Sequence, residues 1–518
     1  MKDEIILINP APEGFSYRGV SLNPFLYGIV DWFAKRFRPI SYRFSANSPL
    51  NLLSIGTSLK LVGYKLIIID GRCGGSTVLK IREAISDKTL FVGISSMTGN
   101  QVRYGLKCAE EVRRCDTKLP IVWGGVHVTS MPVQSLETSD YVDVVCIGEG
   151  EITVVELAKA IQNKEPLDGI LGIGFKDEFG KAKINNSRPL ARLDDLPLPD
   201  YGLMDPNLYS HSYLTYQSSK GCPHKCKFCE LSTIYNGKYR FRSSDIVLDN
   251  LEKIANNYSP SEIAFDDENF FVNLNRAERI AQGMIDRKFK FRWRALCRAD
   301  YFRKTNVEYW KTMKRSGCKA IFIGVESGSQ KILDYVNKGE TIEDNINAIR
   351  QLTDAGIRVD CSFVCGFPSE TREDMQQTID FIHYLIDNFK NIAILEISAY
   401  TPLPATMLYK EVVAQGAKMP ETLEEWGRYV FQSKKAIQWH PEHKFVLSLN
   451  IVSKNISFPP VSRLTYAIKR LNIWEILSYL CRYTCHYRWK YQYYNFPVDI
   501  HLLNWLNQYI FQYNRNLY

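Results

Sequence analysis

The chain has 518 residues, of which 45% are hydrophobic and 23% are charged, and its formal net charge is +9. This composition is ordinary for a globular protein and excludes an intrinsically disordered one, and the length suits about two to four domains. The charge is too mild for this length to indicate a nucleic-acid-binding protein by itself.

The first residues and the cysteines indicate an intracellular protein. No uninterrupted apolar run reaches the ~18 residues that a membrane-spanning helix needs. Residues 1–9 are charged and then form a short apolar strand, which is not the pattern of a signal peptide. The 13 cysteines follow no repeating framework, as is typical of a reducing compartment. We therefore expect a cytoplasmic protein.

Short apolar segments alternate with helical segments over the first 160 residues. The β-branched segments lie at 5–8, 66–69, 91–95, 121–123 and 142–147, and helical patterns include 51–62 and 101–114. This alternation predicts a parallel, doubly wound sheet. Such sheets bind ligands at the carboxyl ends of their strands, where glycine lets the backbone approach a ligand closely.

Four loops at these strand ends are small or rich in glycine. They read DGRCGG at 70–75, SSMTG at 95–99, GGVH at 124–127 and GEGE at 148–151. Glycine-rich loops alone are weak evidence, because a response-regulator-like or Rossmann-like sheet would also carry them. The loops predict a ligand site at this edge without naming the ligand.

A linker and a second strand–helix alternation follow. Residues 161–212 lose apolar periodicity and contain LDDLPLPDY at 193–201, which predicts a stiff surface linker. Strand candidates then lie at 213–216, 262–265, 291–296, 320–325, 359–364 and 392–398, with helices at 245–256, 276–287 and 372–386. Six such units predict a partial (β/α)6 barrel over 213–415, with its chemistry at the carboxyl strand ends.

Three cysteines follow the first barrel strand. Cys222, Cys226 and Cys229 have C-x3-C-x2-C spacing, which places three thiolates on one loop, one fewer than the four that close an iron–sulfur cubane. A [4Fe–4S] cluster held in this way keeps one iron free to bind a small molecule. A structural zinc site is the alternative, but zinc takes four closed ligands and no second cysteine pair lies nearby in the sequence. The spacing favours the cluster.

The cysteine motif resembles the signature of the radical S-adenosylmethionine (SAM) enzymes. The resemblance implies that the open iron binds SAM and that one-electron reduction cleaves SAM to a 5′-deoxyadenosyl radical. It also implies SAM contacts at successive strand ends: Phe228 and Gly366 near the adenine, Asp267 and Glu268 near the ammonium, Arg298 at the carboxylate, and Glu326 and Ser327 at the ribose. The common Gly-Gly-Glu sequence is absent here, and each residue taken alone could be a helix cap or part of a turn.

The N-terminal loops resemble those of the cobalamin-binding domain that precedes the barrel in many radical SAM enzymes. The resemblance implies cobalamin contacts from Arg72, Ser95, Ser96, Thr98, Gly124, Gly125, Val126, His127, Gly148, Glu149 and Gly150. Arg72 stands where many cobalamin domains carry a cobalt-binding histidine, and a guanidinium has no free lone pair. We therefore expect cobalamin with no histidine beneath it. The alternative to a cobalamin contact for His127 is a role in packing the loop.

Residues 416–518 form a predicted C-terminal region of different character. From 464 onward the chain is rich in tyrosine, tryptophan and arginine. A mainly helical lid over the barrel mouth is favoured, with a membrane or apolar-substrate surface and a nucleic-acid platform as alternatives. Cys481, Cys485 and His486 are too few for a second metal site and are predicted to be buried thiols with an adjacent imidazole.

The predicted architecture is α/β, with a doubly wound cobalamin-binding domain at 1–160, a linker at 161–212, a radical SAM barrel at 213–415 and a substrate or lid region at 416–518. The favoured function is methylation of an unactivated carbon in a small-molecule or lipid-like substrate, with one SAM as methyl source and another as radical source. No catalytic side chain is predicted beyond the cluster ligands.

Alternative functions and partners stay open. Oxidative cyclisation or rearrangement would use the same cofactors. A tRNA-modifying enzyme is disfavoured because the N-terminal cysteines are scattered, and a non-enzymatic cobalamin sensor would leave the cysteine loop unexplained. We expect an external electron donor such as flavodoxin or ferredoxin, no obligatory nucleic acid, and peripheral membrane contact, if any, through the C-terminal region.

Overall fold

The computed structural model describes residues 2–11, 48–73, 76–205, 209, 211–453, 487–492 and 494. Two sheets organise the described residues, one near the N-terminus and one in the middle of the chain. Short helices follow the second sheet.

The first sheet has seven strands in the order β2-β1-β3-β4-β5-β6-β7. Strands β1 to β5 are parallel, and β6 and β7 are antiparallel to their neighbours. The bounds are β1 Glu4–Asn9, β2 Lys65–Asp70, β3 Thr89–Ser95, β4 Ile121–Gly124, β5 Val144–Cys146, β6 Ile173–Lys176 and β7 Ala182–Ile184.

Helices cover both faces of this sheet. Strand side chains alternate between faces, so Ile5 and Leu7 of β1 enter one apolar core while Ile6 and Ile8 enter another. The first core is completed by α1 and α6, and the second by α2, α3, α4 and α5. These helices are α1 Leu50–Leu61, α2 Thr77–Ala84, α3 Asn100–Cys115, α4 Val126–Ser130, α5 Pro132–Glu137 and α6 Thr153–Asn163. The predicted doubly wound sheet is confirmed.

The second sheet has six parallel strands in the order β15-β14-β13-β12-β11-β8. Neighbours in the sheet follow one another along the chain, as in a partial barrel. The antiparallel strands β9 and β10 pair with each other outside this sheet, as a wide hairpin whose connection is residues 221–239. In the sequence this hairpin comes between the first two barrel strands. The bounds are β8 Tyr213–Tyr216, β9 Ser219–Lys220, β10 Arg240–Phe241, β11 Glu262–Phe265, β12 Arg292–Cys297, β13 Cys318–Glu326, β14 Arg358–Cys365 and β15 Ile392–Ala399.

Helices alternate with these strands and share the largest apolar core with them. Several begin with a side-chain cap, such as Thr341 and Thr371, each of which forms a capping box. The helices are α7 Glu230–Ile234, α8 Ser244–Tyr258, α9 Leu274–Asp286, α10 Val307–Arg315, α11 Gln330–Tyr335, α12 Ile342–Asp354, α13 Arg372–Asn388 and α14 Met407–Ala414. None of the helices in the described part of the chain is both long and apolar enough to cross a membrane.

The stretch predicted as a linker is partly built into the first sheet. Strands β6 and β7 extend that sheet to Ile184, well beyond the predicted boundary at residue 160. Both strands are short and partly exposed, so they lack the apolar run by which a buried strand is recognised. The acidic, proline-containing part that follows is tied to the barrel, because Asp194 accepts a hydrogen bond from the Ser243 backbone N–H at 2.9 Å.

The described part of the C-terminal region connects the two sheets. Its helices are α15 Leu423–Gly427, α16 Lys434–Ile437 and α17 His443–Ser453. In α15, the Trp426 indole donates to Gln134 at 2.7 Å, which links this region to α5 of the first domain. In α17, Asn450 donates to the carbonyl oxygen of Ile397 at 2.8 Å, which links it to β15.

Most of the predicted aromatic tail falls outside the described residues, including Trp474, Tyr479, Cys481, Tyr483, Cys485, His486, Tyr493 and Trp505. Residues 487–490 are helical. There the Trp489 ring stacks on His383 of α13, with centroids 5.1 Å apart. The lid therefore stays a prediction.

Candidate active site at the junction of the two sheets

The three motif cysteines lie on the loop between β9 and α7. Gly221 precedes the first cysteine at φ +84, and a Cβ there would collide with the carbonyl oxygen of Lys238, so this turn requires glycine. Cys226 is buried, and Cys222 and Cys229 are half-buried. Burial, together with the charges of the other two thiols, raises the pKa of Cys229 to about 11.

Two side chains from neighbouring strand ends donate hydrogen bonds to these sulfurs. Asn269, after β11, reaches Sγ of Cys222 at 3.6 Å, and Arg298, after β12, reaches Sγ of Cys226 at 3.5 Å. Such donors favour the thiolate, the form of cysteine that binds metal.

The number of cysteines on this loop suits a cluster with one iron left open, whereas a closed zinc site takes four ligands. Among the described residues, no group of three or more His, Cys, Asp or Glu side chains is placed to hold a single metal ion.

The two acids after β11 that the sequence assigns to SAM have different environments. Asp267 is 1% exposed and accepts hydrogen bonds from the Ser218 backbone and hydroxyl and from the Ser219 hydroxyl, each at 2.6 Å. Its oxygens are thus occupied within the barrel wall. Glu268 accepts from the Gly221 N–H at 3.2 Å, and burial raises the pKa of Glu268 to about 7. Only Glu268 is placed beside the cysteine loop.

Arg298, which the sequence assigns to the SAM carboxylate, is surrounded by protein acceptors. Its Nε donates to Asp300 at 3.0 Å, and its Nη2 lies 3.3 Å from Glu340 and donates to the carbonyl oxygen of Lys338. A guanidinium has five N–H donors. Because these groups and the Cys226 sulfur occupy Nε, Nη1 and Nη2, few N–H groups of the guanidinium are left for a ligand. The structure instead makes Arg298 a buried donor to the cysteine loop.

The end of β13 carries Glu326 at φ +64, a left-handed conformation that is costly for a residue with a side chain and is concentrated at functional sites. Its Oε1 accepts from the buried ammonium of Lys338 at 2.9 Å. The neighbouring Ser327 hydroxyl bonds to Thr378 at 3.0 Å and accepts from the Ser329 N–H. Ser327 is therefore held in the barrel wall, and Glu326 stays the candidate for SAM.

The turn after β14 meets both the cysteine loop and the C-terminal region. Gly366 and Phe367 donate their N–H groups to Glu370, and His440 approaches the carbonyl oxygen of Phe367 at 3.2 Å. Phe228, between the second and third cysteines, packs on Phe367 with ring centroids 5.7 Å apart. The structure thus brings together the two residues that the sequence assigns to the adenine, Phe228 and Gly366.

Glu370→Gln is expected to stabilise the protein at high pH and to change little at low pH. Burial raises the pKa of Glu370 to about 8, against about 4.3 for an exposed glutamate. The folded protein thus keeps a proton that the unfolded chain releases. The stability that the protonated Glu370 carboxyl contributes is complete below about pH 4, and it is lost as the pH rises through about 8. A glutamine amide oxygen can accept from both N–H groups without titrating.

The check is the melting temperature of wild type and variant across that pH range. The difference should grow in favour of Glu370→Gln as the pH rises. Glu343→Gln, at an exposed site in α12, serves as control and should show no such trend. Parallel curves for wild type and Glu370→Gln would contradict the assignment.

A cavity of about 350 Å³ lies between the carboxyl edge of the first sheet and the cysteine loop. On the barrel side, the cavity wall includes Leu231 and Ile234 of α7, the helix that begins directly after Cys229. Tyr235 and Glu268 complete this side of the wall. A Cβ added at Gly124 would meet its nearest neighbour only at 4.0 Å, so the glycine leaves open space. The cavity lies where the resemblance places cobalamin. The predicted cobalamin residues that line it are Ser95, Gly124, Gly125, Val126, Gly148, Glu149 and Gly150.

Two ion pairs join the walls of this cavity. Lys220, immediately before the cysteine loop, pairs with Glu151 at 2.6 Å, and Arg240 of β10 pairs with Glu149. Glu151 also accepts from the Ser54 hydroxyl at 2.9 Å. The loop at 148–151 is thereby attached to the hairpin that flanks the cysteines.

The other predicted cobalamin residues lie outside the cavity wall. Arg72 pairs with Asp70 at 2.6 Å, and the Tyr209 hydroxyl donates to the same carboxylate. Ser96 ties two loops together by donating from its N–H and hydroxyl to the carbonyl oxygen of Gly124, at 2.7 and 2.8 Å.

His127 and Thr98 also face away from the cavity. The His127 Nδ1 lies 3.0 Å from the Thr98 hydroxyl, and its ring contacts Trp426, with centroids 5.7 Å apart. Burial lowers the pKa of His127 to about 4, so the ring is neutral. The structure thus supports the loop-packing alternative for His127.

Sequence reasoning missed Lys220, Arg240 and Tyr235 as parts of this site. Lys220 stands next to the motif, and that adjacency is the one signal that could have indicated it. Arg240 and Tyr235 carry no local signal, because Arg240 meets Glu149 of the cavity wall, and Tyr235 lines the cavity, only through the folding of β10 and α7.

Comparisons with known proteins agree with both halves of this site. The B12 binding domain family matches residues 45–158, and the Radical SAM superfamily matches residues 216–382. An uncharacterized methyltransferase of Pyrococcus horikoshii is 31% identical over 386 residues, which cover 74% of this chain and 81% of that protein. The chain belongs to the cobalamin-dependent radical SAM enzymes.

Other relatives of this radical SAM enzyme carry two kinds of activity in their names. The bacteriochlorophyllide d C-12(1)-methyltransferase of Chlorobaculum tepidum is 26% identical over 76% of this chain and 79% of its own. The anaerobic magnesium-protoporphyrin IX monomethyl ester cyclase of Cereibacter sphaeroides is 30% identical over 56% of this chain and 48% of its own.

Solved structures share the fold of this radical SAM enzyme. TsrM from Kitasatospora setae, with cobalamin and a [4Fe–4S] cluster bound, has a TM-score of 0.61 at 18% identity and covers 80% of this chain and 79% of its own. OxsB, with aqua-cobalamin and SAM bound, has a TM-score of 0.66 at 18% identity and covers 98% of this chain and 75% of its own.

The predicted family, fold class and cofactors are therefore confirmed. The enzyme uses a [4Fe–4S] cluster, SAM and cobalamin. When bound, these cofactors supply electron transfer, radical formation and methyl carriage, while the protein supplies orientation and electrostatics.

Proposed function

We propose that this radical SAM enzyme is a C-methyltransferase that acts on an unactivated carbon of a small-molecule or lipid-like substrate. The observation that carries the proposal is the shared wall between the cavity and the cysteine loop. Lys220 and Glu268 both line the cavity, and both lie next to Gly221 at the start of the loop. Relatives named as methyltransferases support methylation as the reaction.

The cysteine loop is the proposed ligand set of the cluster. Cys222, Cys226 and Cys229 would each bind one iron, leaving the fourth iron for SAM. Phe228, Glu326 and the Gly366 turn are proposed to position the nucleoside, and Glu268 the methionine end. Their role is orientation, since holding reacting groups in line can contribute about 7–11 kcal/mol to lowering a barrier.

The cavity is the proposed cobalamin site. The glycine-containing loops after β4 and β5 provide the room, and apolar side chains from α7 close the opposite side. The ion pairs Lys220–Glu151 and Arg240–Glu149 would hold the two cofactors at a constant separation. An external one-electron donor of the flavodoxin or ferredoxin class is proposed to reduce the cluster.

The test is an anaerobic assay of the enzyme reconstituted with iron, sulfide and hydroxocobalamin. It receives SAM labelled with CD3 and a small-molecule extract of cells that lack the enzyme. We expect a product in which CD3 replaces one hydrogen, together with one S-adenosylhomocysteine and one 5′-deoxyadenosine per product.

The same assay separates methylation from the alternative that the cyclase relative favours. Deoxyadenosine formed with a product that has lost hydrogen and gained no label would establish non-methylating chemistry and overturn the proposal. A preparation that holds tightly bound zinc and no iron would overturn both the proposed methylation and the non-methylating alternative.

A further inference from the structure

Two of the three motif cysteines receive a hydrogen bond from a side chain that the sequence assigns to no such role. The donors come from different strand ends, Asn269 after β11 and Arg298 after β12. Each reaches a different sulfur, that of Cys222 and that of Cys226 respectively. Both donor side chains are almost completely buried, with 2% and 7% of their surfaces exposed.

The position of Arg298 is determined by groups on the side away from the sulfur. Asp300 accepts from Nε, the carbonyl oxygen of Lys338 accepts from Nη2, and Glu340 forms an ion pair with Nη2, which leaves Nη1 directed at Cys226. An arginine guanidinium stays protonated in proteins, so the Cys226 sulfur faces a cation.

Asn269 is oriented by a chain of polar groups that returns to the cysteine loop. Its amide nitrogen donates to the Tyr301 hydroxyl at 2.8 Å as well as to Cys222. The Tyr301 hydroxyl in turn lies 2.8 Å from Nε2 of His224, which stands between the first two cysteines. The amide oxygen of Asn269 is buried and finds no partner within the described residues. A buried polar atom without a partner calls for an explanation, and here the explanation is that the amide nitrogen is oriented as a donor.

We propose that Arg298 and Asn269 set the reduction potential of the cluster by donating to two of its cysteine sulfurs. The inference rests on the proposed function, in which these cysteines hold the cluster. The step is transfer of one electron from the external donor to the cluster, with no bond made or broken. Added negative charge spreads onto the sulfurs, so each donor stabilises the reduced state and raises the potential.

The two contributions differ in size. The Arg298 bond is charge-assisted and lies in a buried, low-dielectric site, so it is the stronger of the two. The Asn269 bond is neutral and is shared with Tyr301. Removing the arginine should therefore shift the potential further than removing the amide donor.

The test is a redox titration of the reconstituted enzyme with cobalamin bound and without SAM, following the reduced cluster by its electron paramagnetic resonance signal. At a fixed potential, Arg298→Gln is expected to lower the ratio of reduced to oxidised cluster about tenfold, which is a shift of about 59 mV for one electron. Arg298→Lys, which keeps the charge but not the planar fork, should shift it less. Asn269→Asp should also lower the potential, because a carboxylate replaces the donor.

Arg303→Gln is the matched control. Arg303 lies in the same segment after β12, but its side chain is half exposed and pairs with Asp344 instead of a cysteine. Its replacement should leave the potential unchanged.

The outcomes separate this inference from the proposed function. A wild-type preparation that assembles no cluster contradicts the proposed function. Clusters that assemble in every variant with the wild-type potential overturn the inference alone, and weaker SAM binding in the Arg298 variants would then return that residue to the SAM carboxylate. If the Arg298 variants fail to hold a cluster, the Asn269→Asp variant provides the test, because it replaces the side-chain NH2 group by an oxygen of similar size. An unchanged reduction potential in Asn269→Asp would then overturn the inference.

Discussion

Cys226→Ala is expected to abolish SAM cleavage while leaving cobalamin binding intact. Loss of residues around a metal ligand costs about 10- to 100-fold in metal affinity or activity, so loss of a ligand itself should exceed about 100-fold. Cys226 is the buried member of the three and the one that faces the charges of Arg298 and Lys338. It does not line the cavity, so cobalamin should be retained.

The measurements are iron and sulfide content, 5′-deoxyadenosine formed from SAM with a strong reductant, and cobalamin retained after gel filtration. Cys318→Ala is the matched control, since Cys318 is a fully buried barrel cysteine at the start of β13, away from the loop. It should keep the cluster and its activity. Deoxyadenosine production by Cys226→Ala at the wild-type rate would show that the cluster is held elsewhere.

Gly124→Leu is expected to produce the reverse result, with cobalamin binding weakened and SAM cleavage kept. Gly124 ends β4 and lines the cavity, and a Cβ can be added there without a close contact. The rest of a leucine side chain would then occupy space proposed for cobalamin. Overpacking costs about 1–3 kcal/mol, and each 1.4 kcal/mol is about tenfold in affinity, so binding should weaken on the order of 10- to 100-fold.

The readouts are equilibrium cobalamin binding and the two nucleoside products. S-adenosylhomocysteine, which accompanies methyl transfer, should fall with cobalamin binding, whereas 5′-deoxyadenosine should persist. Gly169→Leu is the control, because Gly169 is an exposed glycine of the same domain with no atom near its Cβ position. Undiminished cobalamin binding by Gly124→Leu would place the cofactor outside this cavity.

The two substitutions test the two proposed cofactor sites separately. Lys220 and Glu268 line the proposed cobalamin cavity and also lie beside the proposed cluster loop, so a variant at either would not distinguish the two sites. Cys226 and Gly124 are each proposed for one site only. Opposite results from the pair would show that radical formation and methyl transfer have separate binding sites in one enzyme.

Local features of the sequence predicted most of the strands and the cluster motif. The apolar segments at 213–216 and 262–265 coincide with β8 and β11, and the other barrel strands differ from prediction by one or two residues at their ends. Some of these strands are short apolar segments and others, such as β12 and β14, alternate buried with more exposed residues, and either pattern depends on neighbouring residues in the chain alone. The linker at 161–212 was less well predicted, because β6 and β7 are edge strands with partly exposed side chains.

The family, the order of the two sheets and the three cysteines were all predictable from the sequence, because motifs and apolar segments depend on residues that are close together in the chain. The roles of individual side chains at the site became visible only in the folded chain. Arg298 approaches a cysteine 72 positions away, Lys220 pairs with an acid 69 positions away, and Asp267 turns inward to Ser218. Such contacts depend on which strands are neighbours and on where each side chain points, and no local pattern carries that information.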